Sequence, residues 1–165
     1  MGLSEDQERV ALQERELLLP GLDARFAWEL GVRMRTLAEE RGQAVVIDVR
    51  RFGQPLFYVA LEGTTPDHPE WVRRKCNVVA RFHRSSYAIG LKMKAKKETL
   101  ASQQGLPLAD YATDGGSFPL AVTGAGVVGC ATVSGLPERA DHELVVEALC
   151  TVLGRDYAAL KLAAK

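Results

Sequence analysis

The segment that most constrains the fold runs from Asp67 to Met93, because it is the longest stretch with a helical pattern. At about 100° per residue, one broad side of a helix over this range is apolar. That side carries Trp71, Val72, Cys76, Val78, Val79, Phe82, His83, Tyr87 and Ile89. Asp67 followed by Glu70 predicts a capping box, and Pro69 suits the first turn. The sequence therefore predicts one helix of about six turns, buried along this side.

The opposite side of this helix is basic. It carries Arg73, Arg74, Asn77, Arg81 and Arg84. Long basic side chains in this position can reach water or an anionic partner. Lys75 alone points into the apolar side, where it either extends to solvent or pairs with an acidic residue. Because the range from Trp71 to Lys97 has nine basic residues and no acidic one, this face is a candidate anion-binding surface.

Length and charge exclude several classes of protein. A chain of 165 residues that is 47% hydrophobic suits one domain with its own core. Lys plus Arg and Asp plus Glu both number 21, so no net charge attracts nucleic acid or an anionic membrane. The basic stretch also lacks the interleaved aromatic residues of a nucleic-acid platform. No apolar run approaches about 18 residues and the N-terminus does not resemble a secretory signal, which predicts a cytoplasmic location.

The three cysteines, Cys76, Cys130 and Cys150, are far apart and have no CxxC spacing. They are expected to be buried free thiols in a reducing cytosol.

The chain divides into a peripheral acidic helix (1–15), a core (16–153) and a C-terminal tail (154–165). Acidic residues of the first helix are candidate partners for the basic stretch of the same or another subunit. The core is predicted to contain a short strand (17–19), helices over 23–41, 98–104, 107–112 and 138–153, and hairpin strands over 44–51 with 55–62 and 117–123 with 127–134. Hairpin strands are antiparallel neighbours, so the prediction is an α+β single domain with helices packed on a sheet of four or five strands.

Three motifs suggest chemistry but also have structural explanations. Residues 124–129 match GxGxxG, yet a strand is predicted to follow, which favours a hairpin turn over a dinucleotide site. Residues 114–116 (Asp-Gly-Gly) are either a plain loop or a backbone nest for an anion. Ser85 and Ser86 have no adjacent base and no oxyanion-hole motif, so neither is predicted to be a nucleophile.

The histidines are too few and too scattered for a structural zinc site, which needs about four closely spaced ligands. One axial histidine in an apolar cavity is enough to hold haem iron. His142 and His83 are the candidates for that role. For each, the alternative is an ordinary core or surface histidine with no ligand.

Several short motifs together resemble one known family. They are GTTPD (63–67), Trp71, Arg74-Lys75, Arg81-Phe82, Ser85-Ser86, GGSFP (115–119), GVVG (126–129), VSGLP (133–137) and Asp141-His142. This combination resembles the small uncharacterised proteins of the haem-degrading-domain family, relatives of the haem-binding HbpS and GlcG proteins, over roughly residues 15 to 152.

The resemblance implies a profilin-like or PAS-like antiparallel sheet of about five strands with helices on its faces, assembled into a symmetric homo-oligomer. Some relatives bind or degrade haem, and one eukaryotic branch is linked to protein-targeting partners. The family offers no established set of catalytic residues to transfer. The Gly-Gly-x-Pro element is one residue longer here (115–119) than in the GlcG type.

The resulting hypothesis is a cytoplasmic homo-oligomer that binds haem or another small anionic ligand and has no nucleic-acid or membrane partner. The predicted ligand site consists of Arg74, Lys75, Ser85, Ser86, Gly115, Gly116 and Phe118, with His142 and His83 as candidate haem-iron ligands. The alternative is an oligomeric adaptor without ligand chemistry, in which the same arginines contact the acidic helix or a partner protein. Whether the protein is an enzyme stays open.

Overall fold

The computed structural model describes residues 2–165 and has a five-stranded sheet with helices on both faces. The strands are β1 (Leu18–Leu19), β2 (Val46–Arg51), β3 (Gln54–Ala60), β4 (Ser117–Val122) and β5 (Gly126–Ser134), in the order β1-β4-β5-β2-β3. The helices are α1 (Leu3–Glu16), α2 (Ala24–Glu40), α3 (Asp67–Phe82), α4 (Ser86–Lys96), α5 (Leu100–Gln104), α6 (Glu138–Leu153) and α7 (Tyr157–Leu160). The predicted α+β fold is confirmed, with one addition: β1 pairs with β4 in parallel.

Both predicted hairpins are present, β2 with β3 and β4 with β5. The second turn contains Gly124 and Gly126, each at a φ of 81°. This left-handed region favours glycine, which explains why the turn is glycine-rich. A strand follows these glycines, so the GxGxxG match is a hairpin turn.

The prediction of one helix over 67–93 is wrong, because the segment forms two helices. His83 adopts the left-handed conformation (φ 55°, ψ 28°) and ends α3. Two residues later the hydroxyl of Ser85 accepts a hydrogen bond from the amide of Ala88 (3.1 Å) and caps α4. Serine competes with helix continuation in this way. The helical wheel therefore does not describe the residues after Phe82. Helix α3 packs on the sheet, whereas Tyr87 of α4 packs on α1.

Three smaller predictions also need correction. Pro66 occupies the N-cap position of α3 without a side-chain cap, because Asp67 already lies inside the helix. The carboxylate of Asp67 instead accepts a hydrogen bond from the indole N–H of Trp71. Residues 107–112 form a turn rather than a helix. The first helix is packed into the core rather than peripheral, since Val10 and Gln13 of α1 are fully buried.

The two faces of the sheet differ in character because successive residues of a strand point to opposite sides. The face under α2 and α6 is apolar and includes Ile47, Val49, Phe118, Leu120, Ala131 and Val133. The face under α3 carries Asp48, Arg50, Ser117, Cys130 and Thr132. Among the described residues, no helix combines the length and apolar character needed to cross a membrane.

Candidate functional site

A cavity of about 250 Å³ lies at the end of the sheet where β5 leads into α6. The beginnings of α3 and α6 meet there, and the loop before β4 closes one side. The charged lining consists of Asp67 and Lys75 from α3, Asp114 from the loop, and Glu138 and Asp141 from α6. The beginnings of both helices add partial positive charge to this otherwise acidic lining.

A buried ion pair lies at the floor of this cavity. The ammonium of Lys75 is 3.0 Å from the carboxylate of Asp141, and their side chains are only 3% and 2% exposed. Lys75 also donates to the carbonyl of Val133 (3.2 Å), while Asp141 accepts from the amide of Leu136 (2.9 Å). An ammonium has three N–H donors. One donor of Lys75 therefore remains without an acceptor among residues 2–165.

Burial changes the acidity of Asp141. Removal of the carboxyl group from water raises its pKa to about 6, although the charge of Lys75, its hydrogen bond and the amides of Leu136 and Gly135 oppose the change. Near neutral pH this carboxyl group can therefore gain or lose a proton, and the net charge at the cavity floor changes with it.

The Gly-Gly pair before β4 is required by close packing around this ion pair. Gly116 has a φ of 138°, and a Cβ there would lie 2.3 Å from the carbonyl oxygen of Val133 and 2.8 Å from Nζ of Lys75. A Cβ on Gly115 would lie 2.4 Å from the carbonyl oxygen of Glu138. Larger residues would push Lys75 and the start of α6 away, so the two glycines let the loop close on the pair.

The mouth of the cavity is held by weaker contacts. The ammonium of Lys94 binds the carboxylate of Glu138, which also accepts from the amide of Gly115 (3.3 Å). The guanidinium of Arg74 lies 4.6 Å from the ring centroid of Trp71. Both contacts are at the surface, where such interactions are weak and adjustable.

The residues proposed from sequence do not all meet at one place. Lys75, Gly115 and Gly116 come together at the cavity floor. Arg74 binds the carbonyl of Leu108 (3.0 Å from Nε) at the surface.

The remaining three residues of that set are buried elsewhere. Ser85 caps α4, and the hydroxyl of Ser86 accepts from the amide of Ser117 (3.1 Å). Phe118 is 1% exposed and packs in the apolar core on the other face of the sheet.

Most of the basic side predicted for residues 67–93 is bound to its own chain. Arg73 pairs with Glu70 and Asp110, and Arg84 pairs with Glu14 of α1. The expected contact between the acidic helix and the basic stretch is therefore present within one chain. The predicted open anion-binding surface needs correction, because these guanidinium groups reach acceptors on neighbouring elements. Most of the arginines that the adaptor hypothesis assigns to a partner contact are bound to this chain in the same way.

His142 is a core residue in this structure. It is fully buried, and its Nε2 donates to the side-chain oxygen of Gln13 (2.7 Å). Its Nδ1 has no hydrogen-bond partner among the described residues. Burial lowers the pKa of His142 to about 3, so the ring stays neutral.

His83 is exposed at the end of α3 and stacks on Phe52 with ring centroids 6.0 Å apart. Neither His83 nor His142 lines the cavity at Lys75. Iron could reach His142 only if Gln13 and the surrounding aromatic residues moved. A cavity of 250 Å³ is also below the roughly 300–1,000 Å³ typical of sites for larger organic ligands. The cavity beside Lys75 therefore does not fit haem, and residues 2–165 contain no group of three or more potential metal ligands.

Sequence reasoning missed the acidic part of the site. The sequence marks Asp141 only as part of a family motif and Asp114 only within a candidate backbone nest, and it does not single out Asp67 or Glu138 as site residues. The position of Lys75 on the apolar side of a helix was the available signal, since a buried ammonium requires an acidic partner. Choosing Asp141 as that partner requires the fold, because it lies 66 residues further along the chain.

A five-stranded sheet with helices on both faces and a small polar cavity at one end defines a profilin-like or PAS-like module. The chain matches the family model described as haem degrading protein HbpS-like over residues 22–150, and it belongs to that family. It is 60% identical over 162 residues to a UPF0303 protein of Acidobacterium capsulatum, covering 98% of each chain. It is also 60% identical to a UPF0303 protein of Burkholderia cenocepacia, covering 99% of each.

Solved structures share the fold at lower identity. The Ybr137w protein superposes with a TM-score of 0.84 at 24% identity, covering 92% of this chain and 93% of the other. HbpS gives a TM-score of 0.65 at 24% identity, with 81% and 91% covered. A PduOC:heme complex gives 0.68 at 14% identity, with 79% and 94% covered.

Proposed function

We propose that the protein is a cytoplasmic, homo-oligomeric binding module whose ligand is a small carboxylate held in the cavity beside Lys75. The observation that carries the proposal is the buried ammonium of Lys75, which lines the cavity and keeps one N–H donor after binding Asp141 and Val133. A ligand oxygen is the natural acceptor for that donor, and hydrogen bonds to a charged group are among the stronger ones.

The rest of the lining narrows the class of ligand. Asp67 and Asp114 place further carboxylates around the mouth. These groups accept hydrogen bonds from hydroxyl or ammonium groups and repel a second negative charge. Small hydroxy- or amino-carboxylates therefore fit better than phosphates or dicarboxylates. Protonation of Asp141 removes a negative charge beside Lys75, so affinity for an anion rises as pH falls through about 6.

Calorimetric titration with a panel of small hydroxy- and amino-carboxylates at pH 5.5 and 7.5, conditions chosen on either side of about 6, tests the proposal. The variant Asp114→Phe fills the mouth from an exposed position and should abolish binding without unfolding the protein. Glu98→Phe, at another exposed loop position, is the matched control and should bind normally. Absence of binding across the panel, or unchanged binding in Asp114→Phe, would refute the site.

Haem binding is the second candidate. The description of the matching family model and the solved PduOC:heme complex favour it. His83 is the candidate iron ligand that is already exposed, and it lies between Arg81 and Arg84 in sequence. Hemin titration followed at the Soret band should then give a shift that is lost in His83→Ala and kept in His68→Ala. His142→Ala tests the buried candidate. No shift in the native protein excludes haem binding by this chain.

Self-association is proposed to use the edge of the sheet at β3. Among residues 2–165, only β2 pairs with this strand, which leaves its outer backbone groups without a partner there. Leu61 donates to Val45, so by antiparallel alternation the amides of Tyr58 and Ala60 face outward. Beside the strand, Trp28 packs on Phe57 yet stays 63% exposed. A second copy would cover both the strand edge and this ring.

Charges around Trp28 suit a symmetric contact. Arg25 and Glu29 flank Trp28 on the exposed side of α2. A two-fold axis beside Trp28 would bring Arg25 of each subunit near Glu29 of the other. Native mass spectrometry of Trp28→Asp should show dissociation to monomers. Leu108→Asp replaces another exposed apolar residue, 49% exposed, and should leave assembly unchanged. A monomeric native protein, or equal effects of both variants, would refute this interface. Intact assembly without any ligand would favour the adaptor alternative.

A further inference from the structure

Two cysteines that the proposed binding function does not use face each other between α3 and the sheet. Sγ of Cys76 on α3 is 3.4 Å from Sγ of Cys130 on β5. Cys76 also lies 3.1 Å from the hydroxyl of Thr132. The third cysteine, Cys150, belongs to the apolar core on the opposite face. The three thiols thus separate into one close pair and one isolated residue.

The two sulfur atoms are already in van der Waals contact. A disulfide bond is about 2.0 Å long, so the sulfur atoms must approach each other by roughly 1.4 Å. A side-chain rotation or a small shift of α3 toward the strand supplies that distance. The two elements are already held together nearby, because Lys75, next to Cys76, donates to the carbonyl of Val133, three residues after Cys130.

We infer that Cys76 and Cys130 form a reversible disulfide when the protein meets hydrogen peroxide. Cys76 reacts first, because it is 5% exposed whereas Cys130 is fully buried. Its thiolate attacks the peroxide, an S–O bond forms as the O–O bond breaks, and water leaves after protonation. The sulfur of Cys130 then attacks the sulfenic acid, an S–S bond forms and a second water leaves. The two thiols lose two electrons and hydrogen peroxide gains them.

The surroundings of the pair agree with this order. The hydrogen bond from Cys130 lowers the pKa of Cys76, with smaller contributions from Thr132 and the charge of Arg50, while burial and Asp48 oppose it. The hydrogen bond with Cys76 and burial raise the pKa of Cys130 well above its usual value. The thiol nearer the surface is thus the better nucleophile, as expected of a cysteine that reacts first.

A bond at this position has a structural consequence for the cavity. Cys76 directly follows Lys75, and Cys130 lies on the strand that ends beside the cavity. The disulfide would restrain α3 against β5 and limit movement of Lys75. It does not depend on any ligand, so it can be tested whether or not the cavity binds a carboxylate.

The native, folded protein is treated with hydrogen peroxide, its remaining thiols are alkylated, and the products are mapped by intact and peptide mass spectrometry. The expected product has lost two hydrogen atoms and gained no oxygen. One cross-linked peptide pair should join Cys76 to Cys130, leave Cys150 alkylated, and disappear on treatment with dithiothreitol. This readout needs no substitution and therefore no assumption about folding of a variant.

Variants assign the order of the two steps. Cys130→Ala should stop at the sulfenic acid of Cys76, which dimedone traps, and Cys150→Ala should behave like the native protein. Oxidation of Cys76 to sulfinic acid without cross-linking would overturn the inference. So would a cross-link that includes Cys150, or two thiols that both stay reduced in the folded protein.

Discussion

The two faces of the sheet come from the same strands and yet are built in opposite ways. Under α2 and α6, side chains such as Ile47, Phe118 and Val133 form a continuous apolar core. Under α3, the alternate residues include Asp48, whose carboxylate binds both Nε and Nη2 of Arg50 at 2.7 Å. Burial of apolar area stabilises the first face without directional contacts. The second face combines a smaller apolar cluster, which includes Val46 and Val79, with buried polar groups, and each of these polar groups must keep its partner.

This difference explains where the candidate site lies. Apolar packing tolerates no unpaired charge, so an ammonium with a spare donor cannot be placed on the apolar face without a large cost. On the α3 face, Lys75 is paired with Asp141 and Val133, and the cavity opens beside its remaining donor. The apolar face therefore holds the fold, and the polar face is the one available for binding.

The largest expected effect comes from breaking the buried pair. Lys75→Met should lower the free energy of unfolding by about 3–5 kcal/mol, because Asp141 is then buried without its partner. Leu149→Ala on the apolar face should cost a similar amount, about 2–5 kcal/mol, by leaving a cavity. Urea denaturation followed by circular dichroism measures both.

A second substitution distinguishes the loss of an ion pair from the loss of apolar packing. Adding Asp141→Asn to Lys75→Met removes the unpaired charge and should recover a substantial part of the loss, because the amide oxygen can still accept from Leu136. The same change should not rescue Leu149→Ala. Equal behaviour of the two double variants would mean that Lys75 acts only by filling space.

The next effect is a dependence on pH. The pKa of Asp141 is about 6 in the folded protein and 3.8 for the unperturbed group. An acid whose pKa is raised by folding adds stability below its unfolded pKa, and this contribution is lost as pH rises through the folded value. The unfolding free energy of the native protein relative to Asp141→Asn should therefore fall by up to about 3 kcal/mol between pH 4 and 7. A constant difference across this range would contradict the raised pKa.

The sequence predicted the fold well because hairpins and helices are indicated by residues that lie close together in the chain. Alternating strands around the glycine turns at Gly53 and Gly124 mark both hairpins, and apolar periodicity marks α2 and α6. It failed at the end of α3 because His83, rather than a glycine, takes the left-handed conformation.

For the site, Lys75 could be found from its place on the helix wheel. The cavity could not, because α3, the loop before β4 and the start of α6 meet only in the folded chain.

A smaller effect tests the two faces at adjacent positions of β5. The hydroxyl of Thr132 donates to that of Ser117 (2.9 Å), and Thr132→Val should cost about 1–2 kcal/mol by removing this contact. Val133→Thr adds a hydroxyl to the apolar face and should cost about 1–3 kcal/mol because nothing there satisfies it. The two variants together test whether removing a hydroxyl from the polar face and adding one to the apolar face are both destabilising, although Thr and Val have nearly the same shape. If either variant were as stable as the native protein in urea denaturation, the two faces would differ less than proposed.

The smallest effect is expected at the surface, where Arg84 binds Glu14 and joins α3 and α4 to α1. Arg84→Ala should cost only about 0.2–1 kcal/mol because water and salt screen an exposed pair, and the cost should shrink at about 1 M salt. Glu14→Ala should cost more, since the same carboxylate accepts from the amide of Ser85 (2.6 Å) at the start of α4. That amide would be left partly buried without its partner. Urea denaturation at low and high salt compares them, and a loss from Arg84→Ala that matched Lys75→Met would mean that burial does not separate strong from weak ion pairs in this protein.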